Sequence, residues 1–177
     1  MKLKNNTRKG KMTQKRKYPK RYIPKMLTHN DKKKQKSEII KSQKMYKDGK
    51  YHTRDKIKSF KSKPSKHVQK AYKMYGIKTM KINKNLASKS GCSLATLRKI
   101  YKKGQGAYYS SGSRPNQTAD SWAHARLASA ITGGKSSAVD YSLLESGCKK
   151  TSKALKLAKK ASKTYKKGKM KTPKTTV

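Results

Sequence analysis

Leu86-Ala87-Ser88-Lys89-Ser90-Gly91-Cys92-Ser93-Leu94-Ala95-Thr96-Leu97-Arg98-Lys99-Ile100 reads as two short helices hinged at one glycine. Ser93 is a residue type that caps a helix N-terminus, Gly91 tolerates turn conformations that other residues resist, and small Ala87 permits close helix approach. The spacing predicts helices over 83–90 and 93–103. Working outward, Thr28 or Asp31 as N-cap opens a helix to Asp48, with Ile39, Gln43 and Tyr46 on one stripe and Gly49 as its stop. Ser65 opens another that ends at Tyr75 and Gly76 and turns Val68, Ala71, Tyr72 and Tyr75 to one face. Further helices fit 118–132, before Gly133-Gly134, and 149–167.

Four of these predicted ends share one pattern, Lys-x-Tyr-Lys followed by glycine: Tyr46 before Gly49, Tyr72 before Gly76, Tyr101 before Gly104 and Tyr165 before Gly168. Lysine in a last turn meets the negative end of the helix dipole, and glycine supplies the left-handed cap. The Tyr-to-Tyr spacings of 26, 29 and 64 residues are irregular, which excludes a solenoid. The expected fold is mainly α: several short helices around a small core, with an extended basic N-terminal arm and a basic C-terminal tail. Only 32% of the 177 residues are hydrophobic, and Tyr provides 11 of the 13 aromatics, so that core rests on rings that also need a polar partner.

The charge is extreme and unevenly placed. Fifty Lys+Arg face seven Asp+Glu, a net +43, and Lys outnumbers Arg 43 to 7. So much like charge opposes a compact state until a counter-charged partner screens it, and point-charge lysines suit dispersed neutralisation better than bidentate readout. Residues 1–104 hold 35 basic and 4 acidic side chains, 105–147 hold 3 and 3, and 148–177 hold 12 and none. Four regions follow: an arm over 1–26, a basic helical region over 27–104, a neutral region over 105–147 that packs against its own chain or a neighbour, and a Lys/Ala-rich tail over 148–177. The neutral region is read as the docking surface, presented by Tyr108, Tyr109, Arg114, Trp122, Arg126, Leu127, Ile131, Leu143 and Leu144. In the tail, Ala154, Leu157, Ala158, Ala161 and Tyr165 share one helix face, similar to linker-histone tails and to basic amphipathic helices on membranes.

No catalytic constellation emerges. Four histidines (His29, His52, His67, His124) and seven carboxylates are scattered, and no metal-ligand spacing occurs. Asp120 and His124 lie four apart on a predicted helix beside Ser121, which reads as ordinary helix-surface pairing. The Gly- and Ser-rich stretch 104–113 lacks the spacing and Lys-Ser/Thr of a phosphate loop. Asn116-Gln117-Thr118 matches a glycosylation acceptor, but no apolar stretch marks export or a membrane span. Cys92 and Cys148 are read as two free thiols of an intracellular protein, with one Cys92–Cys148 bridge as the alternative. No enzyme activity, cofactor, metal or small-molecule substrate is expected.

The 86–100 stretch resembles a helix-turn-helix, which makes 93–103 a recognition helix and Ser93, Thr96, Arg98, Lys99, Lys102 and Lys103 candidates for nucleic-acid contact, with an ordinary helical hairpin as the plainer reading. A wider likeness lies in Gly104-Gln105-Gly106-Ala107-Tyr108-Tyr109-Ser110-Ser111-Gly112-Ser113-Arg114-Pro115-Asn116-Gln117-Thr118, Ser121-Trp122-Ala123-His124-Ala125-Arg126-Leu127-Ala128-Ser129, Gly133-Gly134-Lys135 and Ala138-Val139-Asp140-Tyr141. These residues resemble an uncharacterised family of small Lys-rich proteins of nucleocytoplasmic large DNA viruses, such as the chlorella viruses. The resemblance implies a virion protein, made in the host cytoplasm and lying on the inner side of the capsid or in the core. Its implied partners are capsid proteins, viral DNA and anionic headgroups of an inner membrane. The first expectation is therefore a minor capsid protein that cements or lines the shell. Its rival is a core protein that condenses viral DNA, and a sequence-specific regulator is the third.

Overall fold

Thr28 opens the first helix as one of the two expected caps: its hydroxyl oxygen accepts the Asp31 amide at 3.3 Å, and α1 runs His29–Lys47. The computed structural model describes residues 16–176. There follow α2 (Lys66–Tyr75), α3 (Lys84–Ser90), α4 (Leu94–Ser111), α5 (Ala119–Ile131), α6 (Lys135–Val139), α7 (Tyr141–Gly147) and α8 (Lys153–Thr164). A 3-10 turn covers Lys166–Gly168, and β1 (Lys17–Pro19) pairs antiparallel with β2 (Lys174–Thr176). The fold is mainly α, with a compact core.

Helix α5 is the axis of the packing. It touches α2, α4, α6 and α8, and Ala123, Leu127, Ala128, Ser129, Ala130 and Ile131 are all buried along it. Its last five residues, 127–131, are all buried and leave no face on which a lysine could keep its ammonium in water, which is why no charge appears there. Around it, Leu86, Leu97, Ile100, Leu144, Leu155 and Ala158 complete the main core. Each fully buried Leu or Ile contributes about 1.5–3 kcal/mol relative to exposure.

Helix α4 departs from expectation. The pattern predicts its end at Gly104, but the helix continues to Ser111 through Gly104 and Gly106. Gly104 is there for contact: a Cβ on it would lie 2.6 Å from the Ala123 Cα of α5. A mid-helix glycine costs about 1 kcal/mol against alanine, and here that cost admits the closest approach of the two helices. At the other three patterned ends, Gly49, Gly76 and Gly168 do take positive φ.

The described parts of the arm and the tail are also placed differently from free segments. Tyr18, Tyr22, Ile23 and Leu27 are buried in a second cluster with Ile39 and Ile57, while residues 1–15 of the expected arm lie outside the described residues. Helix α8 begins at Lys153, and Ala154, Leu155, Ala158 and Ala161 are buried where it packs on α5, α6 and α7. Its apolar face is thus occupied by the chain itself, and the following segment pairs with β1. Cys92 and Cys148 form a disulfide, so the free-thiol reading gives way to the bridged alternative. The two cysteines also form a backbone bridge, flanked by Ser93 N–H to Gly147 C=O and Lys149 N–H to Gly91 C=O, both 2.8 Å. The bridge staples the start of the tail beside the turn between α3 and α4.

Candidate polyanion interface

The docking residues predicted from the neutral stretch lie mostly inside the molecule. Tyr108, Leu127, Ile131 and Leu144 are fully buried, and Leu143 packs against the main core. Arg126 is committed to the fully buried Asp140, with Nε and Nη2 donating to its two carboxylate oxygens at 2.9 and 2.8 Å. Trp122 is half-buried against the second cluster, with its ring edge toward Tyr22 at 5.9 Å and the Arg21 guanidinium over both rings. Only Arg114 is well exposed, and Tyr109 is half-buried among other tyrosines. Of the two ways a neutral stretch could pack, on its own chain or on a neighbour, the fold realises the first for its apolar side chains.

The predicted contact helix divides as well. Gly91 takes the left-handed conformation between α3 and α4, and Ser93 caps α4 by accepting the Thr96 amide at 3.2 Å. Thr96 itself is buried against Gly147, whose missing side chain makes room for it. Of the first turn of α4, from which a recognition helix reads base edges, Thr96 and Leu97 face inward while Ser93 and Ala95 stay exposed, so Thr96 alone of the candidate contacts is withdrawn from the surface. Arg98, Lys99 and Lys102 remain exposed as a ridge along the outer side of α4. Lys103 is exposed too, but its ammonium stands 3.6 Å from Asp140.

A second cationic feature was not legible in advance. Lys66, Gln69, Lys70, Tyr72, Lys73 and Met74 of α2 and Lys153 at the start of α8 line an open groove of about 740 Å³. Lys70 has an internal task as well, donating to the Thr132 carbonyl at 2.9 Å. Lys89 donates to the Gly76 carbonyl and Lys135 to that of Met170. These three lysines close carbonyls at helix ends and turns, where a cation meets the negative end of the dipole.

Asp120, Ser121 and His124 are not assembled as a catalytic set. Asp120 accepts from Gln105 at 2.8 Å and Tyr101 at 2.9 Å, and these hydrogen bonds hold its carboxyl below the usual range. Burial, with the bond to Asp120, pushes the Tyr101 hydroxyl up to about 12. Burial pushes the His124 imidazole down. The Ser121 hydroxyl completes the capping box of α5 with Thr118. Among the described residues no three His, Cys, Asp or Glu converge on a metal-sized site, and no helix is long and apolar enough to cross a membrane.

Two further residues that sequence reasoning passed over hold the loop after α1. Arg54 is 8% exposed; its guanidinium donates to Tyr108 C=O at 2.9 Å, Ser42 Oγ at 3.2 Å and Ser113 Oγ at 2.6 Å, and stacks 3.7 Å from the Tyr108 ring. Asn116, at φ 57, accepts the Ile57 amide at 2.7 Å and donates to the carbonyls of Ile57 and Phe60. Its amide, part of the glycosylation match, is thus engaged within the fold. Nothing in local spacing marks either residue, because most of their partners lie more than fifty positions away.

No curated protein and no solved structure matches the chain. Residues 19–142, which include Arg54, Asn116, the α4 ridge and the Arg126–Asp140 pair but stop short of Cys148, match the model described as "Family of unknown function (DUF5824)", and the chain belongs to that family.

Proposed function

We propose that this chain is a structural protein of a large DNA virus particle that acts by neutralising nucleic acid: the core-protein reading in place of the shell-cementing one. The observation that carries it is the burial of Tyr108, Leu127, Ile131 and Leu144. With those side chains inside, the large exposed apolar residues among the described ones are scattered (Met26, Ile40, Tyr51, Val139, Met170), and the surface that remains is dominated by lysine. Scattered apolar residues are ordinary on a soluble surface and make no docking patch, whereas dense lysine fits a partner that offers a continuous row of phosphates. The α4 ridge, the groove between α2 and α8, and the exposed Lys163, Lys166, Lys167, Lys169 and Lys171 are its cationic stretches. The disulfide supports a protein that works where thiols are oxidised, as on or in particles outside a reducing cytosol. The particle setting itself rests on the resemblance of residues 104–141.

A polycation of +43 binds DNA in a test tube whatever its role, so location is the measurement. Zero-length crosslinking in intact, purified particles should join lysines of this chain mainly to the genome. Crosslinks confined to shell proteins would return the shell-cementing role, and absence of the chain from purified particles would overturn both. Of the candidate base contacts on α4, Thr96 is buried and the exposed ones are mainly cations, which suits phosphate contact better than base reading; selected and random DNA should bind with a ratio near one, against the roughly 10³ or more that specific binding gives.

A further inference from the structure

We propose that Tyr46, Tyr51 and Tyr109 form a stacking platform for unpaired bases, so that the nucleic acid this chain prefers is single-stranded; the proposal rests on the nucleic-acid reading above. Tyr46 on α1 and Tyr109 on α4 lie nearly parallel, 15° apart with centroids 5.8 Å from each other. Tyr51, from the loop after α1, meets Tyr109 edge-on at 4.9 Å and Tyr46 at 6.0 Å. The group is anchored from below, because Tyr109 stands at 89° to the fully buried Tyr108 ring, 5.0 Å away.

A plainer account is that the rings fasten the loop across the joint between α1 and α4. That explains Tyr46 and Tyr109, which are half-buried, but not Tyr51, which is 70% exposed. The loop is already held at Arg54, whose amide and guanidinium bind Tyr108, and at His52 and Asp55, both bound to Glu38. Tyr51 is therefore a large ring kept in water by a loop that does not need it for closure. Exposed Lys47 and Lys50 precede it in the chain, with one exposed carboxylate, Asp48, between them and Lys44 one turn earlier in α1, so the cations outnumber the acid three to one. An aromatic ring beside cations matches what a single strand offers, a base with a π-face and a phosphate. A duplex keeps its bases stacked inside and can use only the lysines.

The test uses the full chain and three labelled probes of equal length, about twenty nucleotides: oligothymidylate, a wholly abasic strand with the same phosphates, and a duplex. At moderate salt the chain should bind oligothymidylate at least about tenfold more tightly than the abasic strand, since stacking on one aromatic is worth roughly that much or more. Tyr51→Ala should remove most of this preference and leave abasic-strand affinity unchanged, while Tyr51→Trp should keep it. The ring is exposed, so the variants should retain the helical circular dichroism of the parent. Equal affinity of the parent for both strands, or a preference that survives Tyr51→Ala, overturns the platform and leaves the polyanion reading standing. Failure of all three probes to bind even at low salt overturns both.

Discussion

The helices around α5 and the loop-rich region around α1 are closed by different kinds of side chain. In the first, Leu97, Ile100, Leu127, Ile131 and Leu144 meet as in any helical core, and a disulfide pins the edge. In the second, Tyr18, Tyr22, Ile23, Leu27, Ile39 and Ile57 make a smaller cluster, and much of the joining falls to single polar residues. Arg54 reaches from the loop to Tyr108 and Ser113, Asn116 reaches back to Ile57 and Phe60 of the loop, and Gln35 of α1, 1% exposed, donates to the carbonyls of Tyr22 and Ser113. Helices satisfy their own backbone and need only apolar contact, whereas a buried loop must find partners for every amide and carbonyl. A chain with few apolar residues can therefore afford one aliphatic core and builds the rest from side chains that answer backbone groups.

The largest expected effect tests the helical region. Cys92 and Cys148 are 56 positions apart, and closing a loop of that length stabilises by about 4 kcal/mol in the chain-entropy model. Cys92→Ser with Cys148→Ser should lower unfolding stability by about that amount in denaturant titration. The parent in reducing agent should match the double variant; a loss below about 1 kcal/mol would mean that α7 and α8 are held by packing alone.

Next comes the polar region, where Arg54→Ala should cost about 3 kcal/mol, because it leaves Ser42, Ser113 and the Tyr108 carbonyl without their donor and opens space against the Tyr108 ring. Arg54→Lys separates charge from geometry: an ammonium keeps the charge but lacks the planar fork, so most of the loss should remain. If lysine restores full stability, the clamp is electrostatic and the contrast between the two regions weakens.

The same contrast explains what the sequence disclosed. Some helix starts were legible because a cap is local: Thr28, Ser65 and Ser93 each stand immediately before a helix, though only Thr28 and Ser93 accept an amide, while the true cap of α8, Ser152, was passed over for a start at 149. The apolar face of α2 was legible from spacing, and Ala71 and Tyr75 are buried as expected. Gly104 misled because glycine density looks alike in a loop and in a tight helix crossing, and only Ala123 of α5 distinguishes them. The short α6 and α7 were missed because five- and seven-residue helices carry too little periodicity, and the equally short α3 was legible only from the hinge glycine Gly91 that ends it. The neutral stretch was rightly singled out by its charge, but absence of lysine marks burial without saying whose surface does the burying. Arg54, one basic residue among fifty, became visible only when the fold brought its loop against Tyr108 and Ser113.

The smallest expected effect is a pH dependence confined to the polar region. Two carboxylates of α1 hold the loop: Glu38 accepts the Asp55 amide at 3.1 Å and His52 Nε2 at 2.8 Å, and Asp31 accepts the Ser59 amide at 2.9 Å. Burial alone would raise the Glu38 pKa, but the bonds from Asp55 and His52 outweigh it and the net shift is downward from 4.5. Asp31 is lowered from 3.8 mainly by its bonds to Ser59. A carboxylate whose folded pKa is depressed stabilises the fold above its unfolded value and loses that contribution as pH falls through the folded one. Protection of the Asp55 and Ser59 amides against hydrogen exchange, corrected for intrinsic rate, should therefore fall as pH drops below 4.5 and then below 3.8. Amides of Leu127 and Ile131, bonded within α5, should keep their protection over the same range. Glu38→Gln should flatten the Asp55 response and leave that of Ser59 in place. If all four amides lose protection together, the two regions unfold as one unit, and the difference in how they are built carries no difference in how they open.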